Sequence, residues 1–182
     1  MRTPCDTSFM LSSRPPYIVS TSDVPEKEGR YAGSDEPLGC GRPIGRVAGL
    51  MRIGLHVTRL PPGRRLSWPH AEEKEEEFVY VLEGPVDAWV DGYLHRMETG
   101  DLAAFPAGTG ICHTFINNGT KDAMLLVGGE GNKPDNRIYY PQHAHRRMQM
   151  PWSHWWENVP LAPPGLHDGL PVALRGEPDP EE

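Results

Sequence analysis

Two stretches of the chain concentrate imidazole and carboxylate side chains, the groups that move protons near neutral pH and hold divalent cations. The first carries His70, Glu72 and Glu77, inside a run of five glutamates and one lysine from Glu72 to Glu77. The second carries His113, shortly before Asn117. Residues i and i+2 on an extended strand share a face, so His70 and Glu72 can converge. Glu77 opens the next apolar run, where a turn could bring it alongside. His113 comes from a distant segment that a closed barrel could set opposite. Most acidic runs are solvated loops, and that is the ordinary reading of Glu73, Glu75 and Glu76. Glu72 has strand parity with His70 as a second reading, and Glu77 has its place at the head of a strand.

The segments around these residues read as short strands. Met51, Ile53, Leu55 and Val57 alternate with Arg52, Gly54, His56 and Thr58, a period-two pattern that Pro61–Pro62–Gly63 ends. Apolar runs follow at Phe78–Leu82 and Val86–Val90, separated by Gly84–Pro85. Asp91–Gly92 is a strong hairpin signal leading into Tyr93–Met97. Thr99–Gly100–Asp101 turns the chain into Leu102–Phe105. Ile111–Ile116 and Ala123–Val127 complete the series, with Asn117–Asn118–Gly119 between them. Several short strands at this spacing predict an all-β sandwich or barrel, and the lack of a long amphipathic pattern argues against βαβ units.

Three zones result. Residues 1–45, rich in Pro, Gly, Ser and charge, read as an arm that could add an edge strand, with one apolar triplet at Tyr17–Ile18–Val19. Residues 46–130 hold the strand series. Residues 131–182 are irregular, carry Trp152, Trp155 and Trp156, and end in an acidic Glu-Pro-Asp-Pro-Glu-Glu tail expected to fray.

At 182 residues the chain suits one core of ordinary size. Its 18 Lys and Arg against 25 Asp and Glu leave a formal charge of −7, which argues against a nucleic-acid partner. The 20 Gly and 20 Pro suit short strands and tight turns better than a helical bundle. Cys5, Cys40 and Cys112 form no CxxC pair, so neither a zinc knuckle nor a disulfide framework is expected. Cys112, beside His113, reads as an idle or buried thiol. No leader-like or membrane-spanning apolar run is present, which makes a cytoplasmic protein without a membrane partner the default expectation.

Taken together, the two stretches resemble the paired motifs of the cupin superfamily. Glu77, six residues and Gly84 match the end of the first motif, and the four-residue gap from Glu72 to Glu77 fits it. Gly100, Pro106, Gly108, His113 and Asn117 fill the second. Three departures stand out. The gap from Gly63 to His70 is one residue longer than the pattern, Glu72 replaces the second histidine of His-x-His, and the gap from Gly108 to His113 is two residues longer. The resemblance covers roughly residues 46–129. It implies a single jelly-roll, or double-stranded β-helix, barrel with an N-terminal arm and a C-terminal cover segment.

The resemblance also implies one divalent metal held by His70, Glu77 and His113, with Glu72 as a fourth ligand or, if unbound, the general base. Such a donor set suits Zn, Mn, Fe or Ni. The expected function is a metal-dependent enzyme (an isomerase, lyase, decarboxylase or dioxygenase) acting on an oxygen-rich small metabolite. The alternative is a non-catalytic cupin that binds a metal or small ligand. Cupins commonly pair through sheet edges, so a homodimer is expected. His56, Trp68, Trp89, Phe105 and Phe115 are expected to wall the pocket, although His56 also reads as a partly exposed strand histidine. His143–Ala144–His145, followed by two arginines, reads as a surface loop. The tryptophan cluster reads as packing over the barrel or at a dimer interface, with a lid as the other reading.

Overall fold

In the computed structural model the described residues are 14–131 and 133–175; Cys5 and the acidic tail lie outside them. The strands are β1 (Lys27–Glu28), β2 (Cys40–Arg42), β3 (Ile53–Leu60), β4 (Arg64–Arg65), β5 (Ala71–Glu72) and β6 (Glu77–Glu83). They continue with β7 (Val86–Val90), β8 (Tyr93–Met97), β9 (Leu102–Phe105), β10 (His113–Asn117), β11 (Ala123–Glu130) and β12 (Ile138–Tyr139). Two one-turn helices, α1 (Ile44–Val47) and α2 (Arg146–Gln149), and three 3₁₀ turns complete the architecture.

A six-stranded sheet runs β1-β2-β3-β11-β6-β9, and a four-stranded sheet runs β4-β10-β7-β8. All their pairings are antiparallel. Val79, Val81 and Leu125 from the first sheet meet Val86, Ala88 and Phe115 from the second in one buried core, so the chain is an all-β barrel. The turn between β7 and β8 shows why the register holds. Asp91 and Gly92 both have positive φ, 46° and 88°, the requirement of a two-residue hairpin loop whose twist matches its strands.

The seven longer strands fall where the alternation and turn signals predict them. The apolar triplet at Tyr17–Ile18–Val19 forms no strand. Instead β1 and β2 add to the edge of β3, Gly41 standing opposite Thr58. Close approach is needed here: a Cβ on Gly39 would come within 2.9 Å of Thr58 Cγ2.

The C-terminal segment covers the outer face of β7 and β10. Trp156 packs there with Trp89 and Ile116, and Trp155 packs with Trp68 and Tyr140. Trp152 stays exposed, with the Arg147 guanidinium 4.0 Å over its ring. No helix among the described residues is long and apolar enough to cross a membrane.

Candidate metal centre

His113 opens β10, and the backbone of His70 pairs with it across an isolated antiparallel bridge. Directly opposed residues on antiparallel strands project to the same side, and the two imidazole centroids lie 4.9 Å apart. Glu77, first residue of β6, enters from the other sheet, where it stands opposite Phe105 on β9 and Gly129 on β11. Its Oε2 is 3.2 Å from Nε2 of His70 and 3.2 Å from Nε2 of His113. One ligand atom from each of the three lies within 4.8 Å of the others.

Both rings are oriented by backbone. His70 Nδ1 is 2.9 Å from the Trp68 carbonyl, and His113 Nδ1 is 3.3 Å from the Ile111 carbonyl. A carbonyl can only accept, so each Nδ1 carries the proton and each Nε2 turns its other face to Glu77. Phe105 lies flat on His113, with ring centroids 3.5 Å apart and planes 4° apart. These outer partners leave no sequence motif beyond the i−2 spacing of the accepting carbonyls, and sequence reasoning did not identify them.

The electrostatics follow from three polar groups sharing a buried space. Burial pulls His70 down, but the Glu77 carboxylate, helped by Glu72, outweighs it and holds the imidazole up at about 9. Burial lowers His113, with Glu77 pulling only partly the other way. Burial also pushes Glu77 up, yet His70 and His113 together hold it well below the usual carboxylate range. Glu77 Oε2 is buried, and the two imidazoles at 3.2 Å, neither of them in good hydrogen-bond geometry, are the polar side chains that approach it among the described residues. A buried carboxylate oxygen is costly unless a cation meets it; without metal the His70 imidazolium does so, and a divalent ion would take that place. Two imidazole nitrogens and one such oxygen are the donor set of a divalent transition metal, and the residues fit one.

Glu72 stands beside this trio without joining it. Its Oε1 is 3.9 Å from His70 Nε2, and its Oε2 accepts a hydrogen bond from Asn136 Nδ2. Burial pushes its carboxyl up to about 7, with His70 pulling down and Glu77 adding to the rise.

A cavity of about 460 Å³ opens beside His70, Glu77 and His113. His56 and Phe115 line it. Trp68, Trp89 and Phe105, expected at its wall, do not. β7 is buried on both faces, so alternation could not tell which side Trp89 takes; its indole points outward and donates to the His167 carbonyl. Trp68 sits where the chain bends before β5. It is clamped between Tyr31 and His143, both about 4 Å away, and its Nε1 donates to Glu36. Phe105 is occupied with His113. His143, read as part of a surface loop, is thereby half-buried in an aromatic cluster, where burial and Arg65 pull it down to about 4. The arm supplies cavity residues that sequence reasoning missed, among them Lys27, Glu28 and Tyr31. Thr58, two residues after His56 on β3, carried a parity signal that could have found it.

Comparison with known proteins agrees with this architecture. Residues 56–129 match the family described as the Cupin domain. The chain is 33% identical over 120 residues to Protein SchB of Streptomyces halstedii, covering 65% of this chain and 81% of SchB. The crystal structure of a sugar phosphate isomerase of the cupin superfamily from Silicibacter pomeroyi is 31% identical, with a TM-score of 0.62 over 68% of this chain and 80% of that one. The polyketide cyclase RemF from Streptomyces resistomycificus has a TM-score of 0.56 at 23% identity, covering 76% of this chain and 98% of its own, a likeness of fold alone.

Proposed function

Since the chain belongs to the cupin superfamily, we propose that it is a metal-dependent enzyme acting on a small, oxygen-bearing molecule. The observation that carries this reading is the buried Glu77 Oε2, equidistant from two imidazole nitrogens whose other sides are tied to backbone carbonyls. His70, Glu77 and His113 hold the ion, which is Zn, Mn, Fe or Ni by the donor set. When bound, the metal supplies Lewis-acid chemistry at a carbonyl, carboxylate or enediolate oxygen.

The remaining work falls to the chain. Phe105 keeps the His113 ring from rotating, and the Trp68 carbonyl does the same for His70. Glu72 is the proton carrier, because a carboxyl held near neutrality can both take and return a proton at physiological pH. Asn136 fixes one of its oxygens, leaving Oε1 for the transfer. The chemistry fits isomerisation, elimination or decarboxylation. Two copies are expected to pair through a free sheet edge; β8, with exposed Tyr93 and Leu94, is one candidate.

Metal analysis of the purified protein tests the reading. We expect about one divalent ion per chain, lost in both His70→Ala and His113→Ala while the circular dichroism of the barrel persists. A wild-type protein that binds no divalent ion even after reconstitution, or histidine variants that keep it, would overturn the assignment.

A further inference from the structure

The cavity beside the trio has a charge pattern that restricts what can enter it. Lys27 is the one cationic lysine or arginine side chain among the described residues lining it, and it sits exposed on the two-residue edge strand β1. Two carboxylates, Glu28 and Glu77, line the same space. The arginines on the strands that build the mouth are already engaged. Arg59 forks onto Glu26 and reaches Asp122, Arg64 binds Glu28 and the Leu38 carbonyl, and Arg42 donates to the Val24 carbonyl. A phosphate monoester carries nearly two negative charges, and recognition calls for guanidinium forks, lysines or several converging N–H groups. Apart from the single exposed Lys27, nothing of that kind faces this cavity among its described residues.

Away from His70, Glu77 and His113, the rest of the lining is neutral. Phe78, Val79, Phe115 and Val127 form an apolar wall, and Thr58 and Ser67 add two hydroxyls. Burial lowers His56, which favours its uncharged form. The volume of about 460 Å³ lies within the range that encloses drug-sized ligands.

We propose that the ligand is a mainly apolar molecule of about two fused rings in size, carrying its oxygen atoms at the end that meets His70, Glu77 and His113, and not a phosphorylated sugar. The inference deepens the metal-enzyme reading and rests on it for the oxygenated end. The apolar end rests on the cavity wall alone. It separates this chain from the activity named for its relative from Silicibacter pomeroyi.

The test is calorimetric titration of the full chain, both loaded with Mn(II) and treated with EDTA. The probes are 2-acetyl-1-naphthol, a neutral bicyclic hydroxyketone, and ribose 5-phosphate. We expect the naphthol to bind at least tenfold more tightly in both preparations, and more tightly still with metal. Val127→Trp, which fills the apolar wall, should weaken naphthol binding at least tenfold without changing metal content. Val127→Phe serves the same purpose if the larger side chain prevents folding. Ribose 5-phosphate binding as tightly as the naphthol, or naphthol binding indifferent to a folded Val127 variant, would overturn the inference. Failure of the metal reading would appear separately, as absent metal with the preference between probes intact.

Discussion

His70 and His113 are joined through their backbones: the N–H of each donates to the carbonyl of the other, at 3.1 and 2.9 Å. The two imidazoles therefore meet as a consequence of strand register. A one-residue slip would turn one ring to the opposite face and abolish the site. The register is held on one side by β10 against β7, where His113 stands opposite Val90. On the other it is held by Leu66, whose N–H donates to the Phe115 carbonyl.

The face-to-face contact of Phe105 with His113 predicts a graded loss. Phe105→Ala should destabilise the fold by about 3–5 kcal/mol, because it empties a buried ring site. Phe105→Leu keeps much of that volume and should fold. Without a flat surface against the imidazole, it should still lower metal affinity by about 10–100-fold, as losing an outer partner does. Chemical denaturation and metal titration read the two effects separately. Unchanged metal affinity in Phe105→Leu would remove Phe105 from the account of the site.

The raised titration of His70 predicts a pH dependence in the metal-free protein. An imidazole at about 9 folded, against an ordinary value of 6.5, stabilises the fold fully below 6.5 and ceases to do so as pH rises through 9. Glu72, held up near 7, acts in the same direction, but only between its ordinary value and about 7. His113, held low, has the opposite sign: its contribution is lost as pH falls below 6.5. The interval from pH 7.5 to 9 therefore reports mainly His70; the Cys112 thiol, pushed up to about 12 by burial, adds a smaller fall of the same sign as pH nears 9, which Cys112→Ala removes. Melting temperature in EDTA should fall across this interval, by an amount corresponding to roughly 1–3 kcal/mol. A divalent ion, which replaces the proton, should flatten the slope. A flat melting profile without metal would contradict the arrangement.

The sequence made the barrel legible and the pocket only partly so, for a physical reason. Period-two alternation marks a strand with one dry face and one wet face. It located β3, while apolar runs bounded by glycine-bearing turns located β6, β11 and the other longer strands. The pairings of β1, β2, β4, β5 and β12 involve two or three residues each, too few to show any period. Their positions depend on remote partners, as with Lys27 opposite Gly41. His70, Glu77 and His113 were legible because spaced glycines and prolines flank them. Trp89 was not, because the C-terminal segment makes both faces of β7 dry. Trp68 followed the bend before β5 instead of the parity of His70.

That bend depends on an ion pair the sequence did not suggest. Arg65 is almost wholly buried, and its guanidinium forks onto Glu36 at 2.6 and 2.8 Å while also donating to the Gly169 carbonyl. The second Glu36 oxygen accepts from Trp68 Nε1 at 2.9 Å. Glu36→Ala would strand a buried cation, a change that costs about 3–5 kcal/mol. Glu36→Gln, which retains an acceptor, should cost less. Thermal melting of the two variants distinguishes charge from hydrogen bonding. Equal melting of Glu36→Ala and wild type would show that Arg65 finds water or another partner.

Gly129 offers the sharpest link between fold and site. It stands opposite Glu77 in the β6–β11 pairing. A Cβ there would lie 2.5 Å from the Glu76 carbonyl oxygen and 3.2 Å from Glu77 Cα. Both are backbone atoms, so relief requires the start of β6 to move, and Glu77 with it. At Gly128 an added Cβ would instead meet the Phe78 ring at 2.5 Å, a side chain that can turn at the edge of the cavity. Gly129→Ala should therefore lose metal affinity by at least about tenfold, more than its loss of stability of about 1–3 kcal/mol would suggest. Gly128→Ala should lose stability in the same range and keep its metal. Metal content measured beside denaturation midpoints separates the two. If both variants kept full metal affinity, the position of Glu77 would not depend on its strand partner, and the precision of the trio would need another source.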